Sequence, residues 1–367
     1  MRIGFALSGF HSVDRGAEVA LLSVADMLAR SGDEVTVFGS GQPRSGVSYT
    51  FRHIPAVRRD RFEKMPLFPP FRDVVMWEDA SFAASLLKAY RPGDFDAMIT
   101  CAYPFTQLAL RRPARGQRPL QIFVTQNGDW PAFARNAEYR LFRCDGLVCT
   151  NPDYYERNQD RWRCALIPNG IDLARFGDGP MDRESLGLPV AGPIVLMVSA
   201  FIESKRVADG VRAVAALPGA HLVVAGDGPM RVEVEQQAAQ MLPGRFTRLS
   251  LTADEMPSLY RAADVFLHLS LLESFGNVFL EAMASGLPIV GHDTPRLRWI
   301  VGDGQPLCDT TDHAALAASL NAGLARGRGT PDPRAAEFAW SAIAERYRAF
   351  LVELGCGVDS ARQNGAQ

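Results

Sequence analysis

Two glutamates eight positions apart, Glu273 and Glu281, flank a glycine-containing turn in the stretch LLESFGNVFLEAMASGLPIV (271–290). An apolar strand runs into this turn, and a helix is expected to open near Asn277. A helix N-terminus offers unpaired backbone N–H groups and the positive end of the peptide dipoles, and Gly276 has no Cβ to hold an anion away from the main chain. That layout suits a diphosphate. Carboxylates repel phosphate but accept hydrogen bonds from hydroxyls, so an acid on either side of the turn suits two sugar rings joined through a diphosphate. Taken singly, Glu281 reads as a first-turn acid that favours the helix dipole and Glu273 as a solvated loop residue. As a pair they have a joint purpose.

Other stretches carry chemistry at strand ends. HLVVAGDGP (221–229) places Gly226, Asp227 and Gly228 after an apolar run, where the glycines suit a tight turn that many α/β proteins also use structurally. VSAFIESKRV (198–207) ends another run with the adjacent cations Lys205 and Arg206; a solvated helix start is the competing reading. In the N-terminal half, SGFHSVDRGAEVALL (8–22) holds His11, Arg15 and Gly16. Gly16 would bring backbone amides near a phosphate at a helix start, and Arg15 would add charge or touch an acceptor. His11 is read either as a polar contact to a cleft or as a surface histidine. QIFVTQNGDWPAF (121–133) holds Asn127, Asp129 and Trp130. A carboxylate accepts from hydroxyls and an indole stacks on a sugar face, so Asp129 and Trp130 are candidate acceptor contacts. Equally, Asp129 caps a helix before Pro131 and Trp130 enters the core.

The string from Leu271 to Val290 resembles the signature of glycosyltransferase family 4, whose members carry two glutamates at this spacing around a phenylalanine–glycine turn. The resemblance implies a GT-B fold, two Rossmann-like doubly wound domains facing a central cleft, and retaining transfer from a nucleotide-diphosphate sugar such as a UDP- or GDP-sugar. It assigns Glu273 to the transferred sugar, Glu281 to the nucleotide ribose, and the amides from Phe275 to Val278 to the pyrophosphate. It further implies donor contacts from Gly16, Lys205, Arg206, Gly226, Asp227, Gly228, Leu251, Ser274, Gly276 and Asn277. The family's lysine falls on Lys205, whereas its arginine falls on Ala200, and Arg206 is offered as the second cation. Preorganised cations stabilise the charge that develops on a departing phosphate, so Glu273, Lys205, Arg206 and Asp129 form the expected catalytic group. The histidine common near the reacting carbon is replaced by Gln126 and Asn127. His11, Arg15, Asn127, Asp129 and Trp130 form the expected acceptor side. The acceptor hydroxyl is expected to belong to a glycan, a lipid-linked molecule or a small natural product. In a same-face displacement the departing phosphate takes the acceptor proton, so no side-chain base is required.

Short apolar runs alternating with helical-period segments position these residues. The first set is 2–8, 34–38, 47–54, 95–103, 121–126, 146–150 and 164–168, with helices over 16–30 and 74–90; this is the rhythm of a doubly wound parallel sheet. It restarts with 193–201, 221–226, 247–251, 265–270 and 287–291, with helices over 206–216 and 230–241. Ligands of such sheets bind beyond the carboxyl ends of the strands. The expected division is an acceptor-side domain over 1–172, a donor domain over 173–334, one amphipathic helix over 335–354 crossing back to the first domain, and a flexible tail over 355–367.

The 367 residues suffice for two such domains, and 47% hydrophobic with 22% charged residues is the balance of a packed globular chain. A net charge of -2 gives no basic field for nucleic acid. The six cysteines lack metal-like spacing and read as buried free thiols of a reducing compartment. With no signal-peptide or membrane-spanning pattern, a cytoplasmic chain is expected, with peripheral contact at the inner membrane face left open. The stretch 56–73, with Arg58, Arg59, Arg61 and Lys64 among Leu67, Phe68 and Phe71, is read as a solvated, proline-broken loop or as a contact with anionic lipid. No cofactor and no metal is expected, since no Asp-x-Asp pair stands at a strand end. Two rivals stand beside transfer: a sugar-nucleotide epimerase on the same architecture, and a catalytically silent nucleotide-sugar-binding protein.

Overall fold

A computed structural model describes residues 1–112, 118–135, 137–177, 179–271 and 273–356. The chain divides into two compact units, one comprising 1–169 together with the C-terminal segment from Trp340, the other Gly170–Ala339. The division falls three residues before the expected boundary at 172. Of the tail expected over 355–367, residues 357–367 lie outside the described residues.

The first unit is built on seven strands: β1 (Arg2–Ala6), β2 (Glu34–Gly39), β3 (Thr50–His53), β4 (Ala97–Thr100), β5 (Leu120–Val124), β6 (Gly146–Cys149) and β7 (Cys164–Leu166). They pair in parallel in the order β3-β2-β1-β4-β5-β6-β7. In the second unit β8 (Ile194–Val198), β9 (His221–Ala225), β10 (Phe246–Leu249), β11 (Val265–His268) and β12 (Ile289–Gly291) pair in parallel in the order β10-β9-β8-β11-β12. Parallel strands covered on both faces need near-continuous apolar runs. The first four residues of β8 and the whole of β11 are buried, each large side chain contributing roughly 1.5–3 kcal/mol relative to exposure.

Strand order locates the sites. In each sheet the chain leaves the first strand to one side and returns to build the other, so the switch points lie between β1 and β4 and between β8 and β11. Crevices open at the carboxyl ends of such strand pairs, which is where doubly wound sheets bind ligands. The loops after β1 and β4 in one unit and after β8 and β11 in the other border these crevices, with the loops after β5 and β9 on the adjacent strands.

The single helix expected over 335–354 is two elements. Asp332 caps a short 3-10 turn, Pro333–Phe338, by accepting from the amide of Arg334, and the main helix is Trp340–Glu353. Ala339 between them is extended, and the amide of Ile171 donates to the carbonyl of Phe338. Phe338 packs in the core of the second unit, whereas Ile343, Tyr347, Phe350 and Leu351 complete the core of the first. One apolar periodicity thus serves two cores.

All six cysteines are free; Cys101, Cys149 and Cys356 are buried and the other three half-buried. No helix among the described residues is long and apolar enough to cross a membrane.

Candidate functional site

The loop after β8 is held by glycines on its neighbour. A Cβ on Gly226 would stand 2.0 Å from the carbonyl oxygen of Ser199, and one on Gly228 would stand 2.6 Å from that of Phe201. Only glycine allows the two loops to lie together, joined by bonds from Ser199 N to Ala225 O and from Phe201 N to Asp227 O, 3.0 Å each. The tight turn expected of these glycines is instead a close backbone approach. The Asp227 carboxylate is more than half exposed, accepts from the amide of Gly228 at 2.8 Å, and lies 3.6 Å from Arg248. Leu251, beyond β10, is half-buried against the core of this unit.

At the end of the β8 loop a 3-10 turn, Glu203–Lys205, leads to Arg206 in the left-handed region, φ 54°. The Arg206 guanidinium donates to Asp209 (2.6 Å), to the carbonyl of Leu269 (3.3 Å), and to the hydroxyl and carbonyl of Thr310 (3.0 and 2.9 Å). It is a strut tying the β8 loop to the end of β11, and the role of second phosphate cation expected for it is not what its donors serve. Lys205 points across the switch point, and its ammonium pairs with Glu273 Oε1.

Glu273 has a second partner that the sequence did not announce. His268, the last residue of β11, is buried between Phe266 and Phe279, and its Nε2 lies 3.0 Å from Glu273 Oε1. Arg296 donates to the main-chain carbonyl of Glu273. Burial alone would push the Glu273 carboxyl up; His268 and Lys205 overcome this and pull it down to about 2. A depressed carboxyl contributes stability above its unfolded value near 4.5 and loses it as pH falls towards 2. Glu273→Gln is therefore expected to lower stability by on the order of 2 kcal/mol at neutral pH, with the gap to wild type closing between pH 4.5 and 2 in denaturant titrations; a gap independent of pH would contradict the pairing.

Three residues on, Gly276 takes φ 88°, and a Cβ there would stand 2.6 Å from the Phe279 ring. It precedes the helix Asn277–Ala284 and gives it no side-chain cap, while Phe275 anchors the turn in the core against Trp299 and Phe338. Ser274, Asn277 and Val278 around it are half-buried. Glu281 follows on the same helix, where its Oε2 accepts from the Tyr260 hydroxyl at 2.6 Å. Burial raises the Glu281 carboxyl, opposed by Tyr260 and by Arg175.

The first unit departs further from expectation. His11 is buried rather than a surface residue: its Nδ1 bonds the carbonyl of Gln42 (2.9 Å), its Nε2 bonds the Tyr49 hydroxyl (2.7 Å), and its ring stacks on Phe51 at 4.0 Å. Burial first, with Arg44 assisting, lowers its pKa. Arg15 pairs with the buried Glu18 at 2.5 Å, directly before Gly16 opens the helix Gly16–Arg30. Asp129 is buried and accepts from Arg157 (2.9 and 3.2 Å) and from Asn158 (2.8 Å). Both oxygens are thereby engaged: Asp129 stands at the N-cap position of the short helix Trp130–Phe133, but its side chain makes no capping bond and braces the loop after β5 instead. Trp130 is 59% exposed rather than a core residue, and Asn127 is exposed beside it. Gln126 exchanges amide hydrogen bonds with Asn169 (2.6 and 3.2 Å).

Among the described residues, the structure brings together Lys205, His268 and Glu273 at the switch point, and Tyr260 with Glu281 on the helix behind it. His268 had a legible signal, a polar residue closing an apolar strand at its carboxyl end. Tyr260, from the separate helix Met256–Ala262, had none. No group of three His, Cys, Asp or Glu side chains that would hold a metal ion occurs among the described residues.

Two family models match consecutive parts of the chain. "Glycosyltransferase Family 4" covers residues 15–175 and "Glycosyl transferases group 1" covers 179–332. The lipopolysaccharide core biosynthesis glycosyltransferase LpsE of Rhizobium meliloti (strain 1021) is 31% identical over 185 residues, 50% of this chain and 53% of that protein. The D-inositol 3-phosphate glycosyltransferase of Acidothermus cellulolyticus is 28% identical over 347 residues, 83% of this chain and 77% of its own. The match thus spans about half the length of the first relative and most of the second. Anabaena HepE, solved in complex with UDP-glucose, shares the fold with a TM-score of 0.65 at 18% identity, over 99% of this chain and 100% of its own. With its two parallel-sheet units and both family models in sequence, the chain belongs to the family 4 glycosyltransferases of GT-B fold.

Proposed function

We propose that the chain transfers a hexose-type sugar from a nucleotide-diphosphate donor to a hydroxyl acceptor, with retention of anomeric configuration. The observation that carries this reading is the uncapped helix start after the left-handed Gly276, with Glu273 and its lysine on one side and Glu281 on the other. The amides after Gly276 take the pyrophosphate, Glu281 accepts from ribose hydroxyls, and Glu273 accepts from a hydroxyl of the transferred sugar. The bond from the anomeric carbon to the β-phosphate oxygen breaks, the acceptor oxygen bonds to that carbon on the same face, and its proton passes to the departing phosphate. Lys205 stabilises the charge left on that phosphate. The UDP-glucose held by HepE supports a uridine donor.

A carboxyl held at about 2 is a weak base. It suits Glu273 to holding hydroxyls rather than to the proton abstraction an epimerase needs, which favours transfer. No step of this scheme requires a metal, so activity should survive a chelator.

A thermal-shift panel of UDP-, GDP-, ADP- and TDP-sugars tests the donor assignment. A ligand at a hundred times its Kd stabilises by about 2.7 kcal/mol. One nucleotide class is expected to raise the melting temperature, and Glu281→Ala to abolish the shift. A full shift in that variant would remove Glu281 from the site.

On the acceptor side, exposed Trp130 and Asn127 are the groups offered for a sugar face and its hydroxyls. Arg59 is engaged by Glu78 at 2.5 Å and Phe71 stacks on Trp77, whereas Val57, Leu67 and Phe68 are exposed beside Arg58, Arg61 and Lys64. This face fits a lipid surface of negative charge. Sedimentation with anionic but not zwitterionic vesicles is expected, weakened by Leu67→Glu with Phe68→Glu; equal sedimentation of that variant would exclude the contact.

A further inference from the structure

Two donors of different character meet one oxygen of Glu273. Lys205 reaches Oε1 on a flexible four-carbon stem from the loop after β8, and His268 reaches the same atom at 3.0 Å from the rigid end of β11. Oε2 carries no hydrogen bond among the described residues. The His268 ring is fixed by the edge of Phe279 at 4.8 Å and by Phe266 at 6.3 Å, and it is 4% exposed. Among the described residues two neighbouring guanidinium groups make bonds of their own: Arg206 donates to the carbonyl of Leu269 and Arg296 to that of Glu273.

A diphosphate beside Gly276 competes for Lys205, because it carries more negative charge than one carboxylate and the stem allows the ammonium to move. Were Lys205 the sole partner, Glu273 would then be a largely buried carboxylate facing a diphosphate without compensation. It would take up a proton or turn away, since an unpaired buried charge is costly. A second donor that cannot follow the phosphate removes the problem.

We infer that His268 is the positioning residue of the transfer site: it holds Glu273 compensated and aimed at the sugar while Lys205 leaves that carboxylate for the diphosphate. The inference rests on the transfer reading above. It makes the exchange of Lys205 between two anions part of donor binding, and it assigns Oε2 to the sugar hydroxyl.

His268→Phe keeps an aromatic ring of similar size without a donor, and His268→Asn restores a short N–H donor. Donor Kd by calorimetry, kcat, KM and the pH profile of kcat are measured for each. For His268→Phe the donor Kd is expected to stay within about threefold of wild type and kcat to fall about 10–100-fold, the effect of misplacing a reacting group by about 1 Å. The acid limb of the kcat profile moves to higher pH, because Glu273 then protonates more readily. His268→Asn recovers most of kcat. In a Glu273→Gln background His268→Phe adds less than about threefold, since residues acting as a unit are non-additive.

Unchanged kcat in His268→Phe, a loss confined to donor Kd, or multiplicative effects in the double variant would each overturn the inference. Should His268→Phe fail to fold, His268→Gln in wild-type and Glu273→Gln backgrounds provides the same cycle and is judged by the same non-additivity. Wild-type protein that binds no nucleotide sugar would defeat the transfer reading itself, whereas wild-type transfer insensitive to residue 268 defeats only the role given to His268.

Discussion

Lys205→Ala is expected to slow sugar transfer by about 10²–10³-fold, the loss found when one preorganised charge-stabilising donor is removed from a reacting centre. The loss should appear in kcat more than in KM, because the charge that Lys205 meets grows as the phosphate departs. Two features of the chain make the effect large. The position to which the family resemblance assigns an arginine is Ala200, and the neighbouring Arg206 has its donors fixed on Asp209, Leu269 and Thr310. Little positive charge in that loop is left to compensate. Lys205 is about a quarter exposed and shares the compensation of Glu273 with His268, so its truncation should lower the melting temperature less than Glu273→Gln does. Steady-state kinetics with the donor identified by the thermal-shift panel reads the result; a loss below about fivefold would place the electrostatic work elsewhere.

Gly276→Ala is expected to lower stability by about 2–4 kcal/mol and to abolish donor binding. The left-handed backbone at φ 88° costs an L-residue about 1–2 kcal/mol. The added Cβ would lie 2.6 Å from the Phe279 ring, which is buried in the core of the unit and cannot yield without disturbing His268, its edge-on neighbour. Either relaxation, of the turn or of the ring, moves the first amides of the helix Asn277–Ala284 away from the anion they are meant to meet. Denaturant titration with and without donor checks both parts; a variant of wild-type stability that binds donor would show that the turn is not under this constraint.

Much of the second unit was legible because strand, turn and helix each left a local pattern. Apolar runs alternating with helical-period segments gave β8, β9, β11 and β12, and the joint spacing of Glu273, Gly276 and Glu281 gave the centre of the site. The partners of those acids were not legible, because His268 and Tyr260 reach them by tertiary packing rather than by spacing. Misreadings followed from the same source. Arg206 lies beside Lys205 in sequence, but a left-handed residue turns its side chain toward Thr310. Asp129 has the sequence context of a cap, yet Arg157 and Asn158, about thirty residues later, claim both of its oxygens. Gly226 and Gly228 read as turn residues, and it takes the neighbouring loop to show that they permit two backbones to touch. The one amphipathic period after residue 335 concealed a change of core at Ala339.

A crystal structure of the chain with a non-hydrolysable nucleotide-diphosphate sugar tests the central claim most directly. The account predicts pyrophosphate oxygens within about 3.2 Å of the backbone nitrogens of Asn277 and Val278, ribose hydroxyls on Glu281, a hexose hydroxyl on Glu273, and Lys205 shifted from Glu273 to the β-phosphate. A diphosphate bound away from that helix start, with Glu273 still paired to Lys205, would contradict it.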